Sequence, residues 1–191
     1  MDGMRFNAIV KNNQVEFRSR NGKLIDIPDV GFTAPFLALA DHYKCDMVFD
    51  GELLVADENE RPLDRKTGNG ILNKAVKGTM SITEATKIRA TLWDAIPFSE
   101  FENQKSNEPY QDRFAKLSNA VSHVKNNYPE FIHKLINLIW HKQVATLEEA
   151  RSIFEKFLGE GQEGIILKTR NGIWENKRAK HQIKFKGEYE C

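Results

Sequence analysis

Lys184 and Lys186 alternate around Phe185 close to the end of the chain. On a strand this spacing sends both amines to one face and the ring to the other, an arrangement suited to two contacts on one phosphate. An amphipathic edge strand would read the same way. Two acids stand beside glycines, Glu52 in Asp50-Gly51-Glu52 and Glu163 in Glu163-Gly164-Ile165-Ile166-Leu167-Lys168. Glycine lets a backbone approach a ligand closely, and carboxylates are natural ligands for a hard cation such as Mg²⁺. Solvated acids at strand ends are the plainer alternative. Around these groups runs a basic stretch. Between Ile165 and Lys186 lie Lys168, Arg170, Lys177, Arg178, Lys180, Lys184 and Lys186, against the single acid Glu175. The whole chain carries 28 basic and 27 acidic side chains, net +1. A polyanion must therefore be held by this local patch and not by overall charge.

The elements that must position these groups follow from local pattern. Phe6 to Val10, a polar turn at Lys11-Asn12-Asn13-Gln14, and Val15 to Phe17 predict a hairpin, with a second turn at Asn21-Gly22. Pro35 opens a short helix over Phe36 to His42. A strand over Asp46 to Val55 carries Glu52, followed by a charged loop through Lys66. Ser81 with Glu84 forms a capping box ahead of a strand at Ile88 to Trp93. Asp112 to Asn126 places Phe114, Leu117, Val121 and Val124 on one helical face. A strand is predicted over Leu135 to Val144, then a helix from a second capping box, Thr146 to Glu149, ending near Gly159. Two last strands, Glu163 to Lys168 and His181 to Lys186, are expected to join through Asn171-Gly172. The class is α+β, with largely antiparallel sheets and flanking helices. At 191 residues this suits one domain.

Other function classes recede. No apolar run approaches the roughly 20 residues that span a bilayer, so no membrane partner is expected. Cys45 and Cys191 offer neither a disulfide framework nor metal-ligand spacing, and a reducing cytoplasm fits. The five histidines show no ligand spacing.

Taken in order, Asp2-Gly3-Met4-Arg5, Ser19-Arg20-Asn21-Gly22, Asp50-Gly51-Glu52, Trp93-Asp94, Glu163 to Lys168 and Lys184-Phe185-Lys186 resemble the motif series of covalent nucleotidyltransferases: DNA ligases, RNA ligases and mRNA capping enzymes. Asn69-Gly70-Ile71-Leu72-Asn73-Lys74 with Lys77-Gly78-Thr79, and Trp174-Glu175-Asn176, make the chain similar to the DNA ligases of T-even bacteriophages. The resemblance covers essentially the whole chain. It implies an ATP-grasp-like adenylation domain, ATP or AMP and Mg²⁺ as cofactors, nicked double-stranded DNA as partner, and the host cytoplasm as location if the gene is a phage's.

The resemblance also distributes roles. Lys184 and Lys186 match the lysines that contact the α-phosphate, and Lys168 belongs to the same surface. Glu52 matches the acid that holds the ribose and helps organise the metal, and Glu163 the second metal carboxylate. Trp93 matches the aromatic that stacks on adenine, although an aromatic in an apolar strand also serves as core. Arg5 matches an arginine contacting the nucleotide and Arg20 one contacting DNA, joined by Lys177, Arg178 and Lys180 of the basic stretch.

The first motif in these relatives reads Lys-x-Asp-Gly-x-Arg. Here Met1 occupies the x position, so the nucleophilic lysine falls just before it; Lys11 lies beyond a turn and Lys44 ahead of a different strand. The expectation is an adenylation domain without the preceding DNA-binding domain or the following OB-fold domain, one that does not charge itself when alone. It is then a fragment whose complement carries the lysine, a degenerate protein that retains nucleotide or nicked-DNA binding, or part of a longer product. An RNA ligase or capping-type enzyme is the remaining alternative.

Overall fold

A computed structural model describes residues 3–177 and 180–187. Strands β1 (Met4–Lys11) and β2 (Gln14–Ser19) form the expected hairpin. Its two turn residues, Asn12 and Asn13, have φ of 49° and 59°, the left-handed pair that a tight two-residue connection needs and asparagine tolerates. Helix α1 (Ala34–Tyr43) has its proline in the first turn and leads to β3 (Met47–Val55).

The chain then departs from expectation. The charged loop gives way at Arg65 to a helix, α2 (Arg65–Val76), because Asp64 caps it by accepting from the backbone N–H groups of Lys66 and Thr67. Burial of Leu72 and Ala75 fixes it to the core. Ser81 and Glu84 do form a reciprocal capping box, starting the short α3 (Ile82–Ala85). Strand β4 (Ile88–Pro97) continues past Trp93, and α4 (Phe98–Glu102), β5 (Lys105–Ser106) and α5 (Tyr110–Asn127) follow. Helix α5 buries Phe114, Leu117, Val121 and Val124, the stripe read from its periodicity.

The strand predicted over Leu135 to Val144 is a correction. It resolves into a turn of helix, α6 (Glu130–His133), and only three residues of strand, β6 (Ile136–Leu138). Helix α7 (Leu147–Gly159) starts from Thr146, whose hydroxyl accepts from Glu149 N–H; the Glu149 carboxylate turns to Ala145 N–H, so the box is only half reciprocal. Strands β7 (Gly164–Lys168), β8 (Trp174–Glu175) and β9 (Gln182–Lys186) end the described chain. A turn does form at Gly172, but it does not join the two last strands directly: Trp174 and Glu175 first pair with β5.

Five strands form one sheet in the order β2-β1-β3-β4-β6, antiparallel except for the parallel β4–β6 pair. Phe6, Phe17, Phe32, Phe36 and Phe49 cluster on one face, with ring centroids 5.2–6.2 Å apart, and α1 and α5 cover that face. Strands β7 and β9 make a separate antiparallel hairpin backed by α7, through Phe154 and Phe185 at 5.9 Å. No described helix is long and apolar enough to cross a membrane.

Candidate active site

Strand β1 sends Phe6, Ala8 and Val10 into the core and turns Arg5, Asn7 and Ile9 to an open cleft on the other face. Register carries this polarity across the sheet. Arg5 lies opposite Glu52, Glu52 opposite Thr91 and Thr91 opposite Asn137; one row over, Asn7 faces Asp50 and Asp50 faces Asp94. The β7–β9 hairpin forms a facing wall. The cleft measures about 2550 Å³, well above the roughly 300–1,000 Å³ of a small-ligand pocket, so it has room for more than a nucleotide.

A bulge shapes the floor. Where β3 steps from Gly51 to Asp50, β4 steps from Leu92 to Asp94, leaving Trp93 as the extra residue. Two consecutive side chains, Trp93 and Asp94, therefore line the cleft. Regular alternation would have turned Asp94 into the core. The same bulge explains the shortness of β6, whose pairing with β4 ends at Leu92, the last residue before the interruption.

The motif glycines act differently from what their sequence setting suggests. A Cβ on Gly51 would lie 2.4 Å from the Thr91 carbonyl oxygen, and one on Gly164, at φ 146°, only 2.0 Å from that of Phe185. The close approach they permit is by a neighbouring strand, not by a ligand.

Two bidentate ion pairs hold the floor. Arg5 donates to Asp50 from Nε at 3.1 Å and from Nη2 at 2.6 Å. Arg113 of α5 donates to Asp94 from the same two nitrogens, each at 2.8 Å, with its side chain and that of Asp94 almost wholly buried. Arg113 also donates to the Glu108 carbonyl and, at 3.2 Å, to that of Gly172. Beside it, Tyr110 donates its hydroxyl to the Trp93 carbonyl and its backbone N–H to Gly172, while Gln111 N–H reaches the Arg170 carbonyl. The first turn of α5 thus ties the strand bearing Trp93 to the loop after β7. Lys168, the last residue of β7, lies with its amine 4.2 Å from the centre of the Tyr110 ring. Desolvation lowers the pKa of this amine and the positive charge of Arg113 and Arg5 adds to that, against the opposing pull of Asp94 and Asp50.

On the wall, Gly164 pairs with Lys186 and Ile166 with Lys184, so Lys168, Lys184 and Lys186 share one face while Phe185 packs on α7, as their spacing predicts. Both lysines meet Glu163: Lys186 in a close ion pair and Lys184 at 3.5 Å. Burial pushes the Glu163 carboxyl up, but the Lys186 hydrogen bond and both ammonium charges outweigh it and hold the group below its ordinary value. Glu52 goes the other way. Burial raises it, the nearby charge of Glu163 adds to this, and hydrogen bonding from Gly3 N–H and the charge of Lys184 only partly offset the rise.

The structure brings the residues singled out by sequence to one place. Arg5, Glu52, Trp93, Glu163, Lys168, Lys184 and Lys186 all line the cleft. Arg20 and Lys180 line it as exposed side chains, and Lys177 does so while paired with Glu175 at 2.9 Å. Asp2 and Arg178 lie outside the described residues.

Residues 1–186 match the family described as ATP dependent DNA ligase domain. The chain belongs to this family. It is 38% identical over 133 residues to a DNA ligase of Enterobacteria phage T6 and 39% identical over 123 residues to that of Enterobacteria phage T4. These matches take in 69% and 64% of this chain but only 26% and 23% of the two relatives, so the chain spans about a quarter of their length. A solved ATP-dependent DNA ligase from bacteriophage T7, in complex with ATP, superposes with a TM-score of 0.74 at 22% identity, over 97% of this chain and 60% of that one. At that identity the likeness shows the ligase fold alone.

Within this ligase domain the motif series passes over Asp50, Asp94, Tyr110 and Arg113 as site residues. Two of them left a signal. Asp50 shares the strand parity of Glu52, and Arg113 falls four residues before Leu117 on the apolar stripe of α5, where a charge must find a buried partner.

Proposed function

We propose that this chain supplies the nucleotide-binding core of a DNA ligase that seals nicks in duplex DNA through a covalent adenylate. The carrying observation is the convergence of Lys184, Lys186, Glu163 and Glu52 on a cleft whose floor also presents Trp93. In the ligase reaction a lysine amine attacks the α-phosphorus of ATP, forming an N–P bond as pyrophosphate leaves. AMP then passes to the 5′-phosphate at the nick, and the 3′-hydroxyl displaces it to form the phosphodiester. Each step is phosphoryl transfer, so positioning and charge neutralisation do most of the catalysis.

In this reading Lys184 and Lys186 bind the α-phosphate from one side, Lys168 contacts the nucleotide from the same wall and Arg5 from the floor, Glu52 accepts from the ribose and Trp93 stacks on adenine. Glu163, freed from the two lysines as they turn to phosphate, becomes available for a cation. Among the described residues no three potential donors cluster. Two carboxylates within each other's electrostatic reach nevertheless fit Mg²⁺, which keeps several waters and takes one or two carboxylates together with substrate phosphates. When bound there it supplies further neutralisation of phosphate charge. Arg20, Lys177, Arg178 and Lys180 are read as contacts to the DNA backbone, and the setting as the host cytoplasm.

The amine of the first motif belongs to the position just before Met1. Residues 1–191 should bind AMP, and a polypeptide that carries a lysine just before Met1 should form the labelled lysyl adenylate. Calorimetry with AMP and gel detection of labelled adenylate test this. Trp93→Ala should weaken AMP binding by about tenfold, the loss of one stacked base at roughly 1–3 kcal/mol. Absence of heat with millimolar ATP, or sealing of nicked RNA in preference to nicked DNA by the lysine-extended polypeptide, overturns the reading.

A further inference from the structure

Lys168 differs from the other two lysines of the site in what holds it. Lys184 and Lys186 both meet Glu163. Among the described residues the Lys168 ammonium makes neither an ion pair nor a hydrogen bond; its contact is the face of Tyr110, with the nitrogen 4.2 Å from the ring centre. Asp94 and Asp50 attract it through space, yet each is already gripped by an arginine through two hydrogen bonds. The nearby carboxylates are spent, and the N–H donors of Lys168 are not.

Tyr110 is itself firmly held. It opens α5 after Pro109, donates its backbone N–H to the Gly172 carbonyl at 2.9 Å and its hydroxyl to the Trp93 carbonyl at 3.1 Å. Phe114 packs on its ring, with centroids 5.7 Å apart. Burial raises the pKa of its phenol, so the hydroxyl remains a neutral donor. Next to it, Gln111 donates its N–H to the Arg170 carbonyl and accepts from Arg170 Nε at 2.8 Å. The loop that begins just after Lys168 is thus fastened to the same helical turn that carries the ring. Lys168 is held from α5 at both ends, its backbone through the loop and its amine through the ring. An aromatic face attracts a cation most strongly where water is excluded, and burial desolvates this amine.

Resting on the ligase reading above, we propose that Tyr110 is a positioning residue for nucleotide binding: its ring presents the Lys168 ammonium to the nucleotide phosphate at a fixed distance from Trp93. The hydroxyl and the ring are parts of one rigid group, so the strand that bears the base platform and the amine that meets phosphate are both referenced to it. Lys184 and Lys186 must leave Glu163 before they reach phosphate. Lys168 has no carboxylate to leave, and a flexible stem that is already ordered loses less freedom when the ligand arrives.

Calorimetry of residues 1–191 with AMP and with adenosine tests this. Tyr110→Leu should weaken AMP binding about three- to tenfold, because the ordering of one long side chain is moved to the binding step. Tyr110→Phe, which keeps the ring, should recover most of that loss. Both variants lack the hydroxyl, so the difference between them belongs to the ring, and adenosine, which has no phosphate, should bind the two equally. In a Lys168→Met background, Tyr110→Leu should weaken AMP binding no further, since the group it positions is gone. Equal AMP affinities of Tyr110→Phe and Tyr110→Leu, a difference that adenosine reproduces, or additive losses in the double variant each overturn the positioning role and leave the ligase reading standing. If the parent chain binds no AMP at millimolar concentration, both fall. A measurement on the parent chain covers a Tyr110→Leu that does not fold: in NMR spectra the ε-methylene protons of Lys168, assigned by their loss in Lys168→Met, should lie upfield of those of the other lysines because they sit over the ring. Ordinary lysine shifts there also overturn the positioning role.

Discussion

On the floor of the cleft, Arg113 and Asp94 are 3% and 6% exposed and grip each other through two hydrogen bonds. On the β7–β9 wall, Lys184 and Lys186 keep half of their side-chain surface exposed while reaching Glu163. The chemistry of the two pairings is alike, and their surroundings give them different duties. A buried pair cannot exchange partners without stranding a charge in low dielectric, so it fixes geometry. An exposed pair costs little to open because water stands in for either partner. The floor therefore holds its shape, while the lysines of the wall can leave their carboxylate at little cost.

The largest test of this contrast is Arg113→Ala. It leaves Asp94 buried without its partner and removes donors from the Glu108 and Gly172 carbonyls. The expected loss is about 3–5 kcal/mol of stability in denaturant titration. A loss below about 1 kcal/mol would mean that the floor is not rigidly paired.

Lys168 lies between the two regions, with its ammonium destabilised chiefly by burial. Its folded pKa is depressed, so the charged amine opposes folding at neutral pH and the penalty is relieved only as pH rises toward the ordinary value of 10.5. Lys168→Met should stabilise the fold by about 1 kcal/mol, or about 2–4 °C in Tm, while weakening AMP binding. A fall in Tm would show that the amine over Tyr110 holds the structure and is not a strained binding group.

Lys186→Ala should give the reverse pattern. Stability should change by less than about 0.5 kcal/mol, and ATP affinity should drop by about tenfold, as expected when a charge-assisted contact to phosphate is lost. Equal effects on both would erase the distinction between wall and floor.

The smallest expected effect is in acid. The Glu163 pKa is depressed below its ordinary 4.5, so the stabilisation it brings is complete above that pH and is lost as pH falls through the folded value. Glu52 is raised, so its ionised form costs stability at neutral pH, and acidification relieves that cost first. Glu163→Gln should therefore flatten only the lower part of the acid limb, by at most about 1 kcal/mol for so exposed a pair. Thermal melts between pH 3 and 6 measure it.

Much of the site is legible in the amino-acid order because its cues are short-range. Strand parity puts Lys184 and Lys186 on one face and Phe185 on the other, Asn12-Asn13 sets the first hairpin, and Ser81 with Glu84 caps a helix. Each depends on residues a few positions apart, where sterics and local hydrogen bonds decide. The remainder comes from partners distant in the chain. The bulge that turns Asp94 into the cleft belongs to the pairing of β3 with β4, and it also ends β6 at Leu138, where local pattern alone suggests a strand to Val144. Arg113 meets Gly172 across 59 positions, and β8 leaves the last hairpin to pair with β5. Gly51 and Gly164 make room for strands, a role visible only once Thr91 and Phe185 are in place beside them. The residue types and their order determined which groups could handle phosphate. Long-range pairing decided which of them stand locked in the floor and which stand ready on the wall, because burial is a property of neighbours that adjacent sequence does not specify.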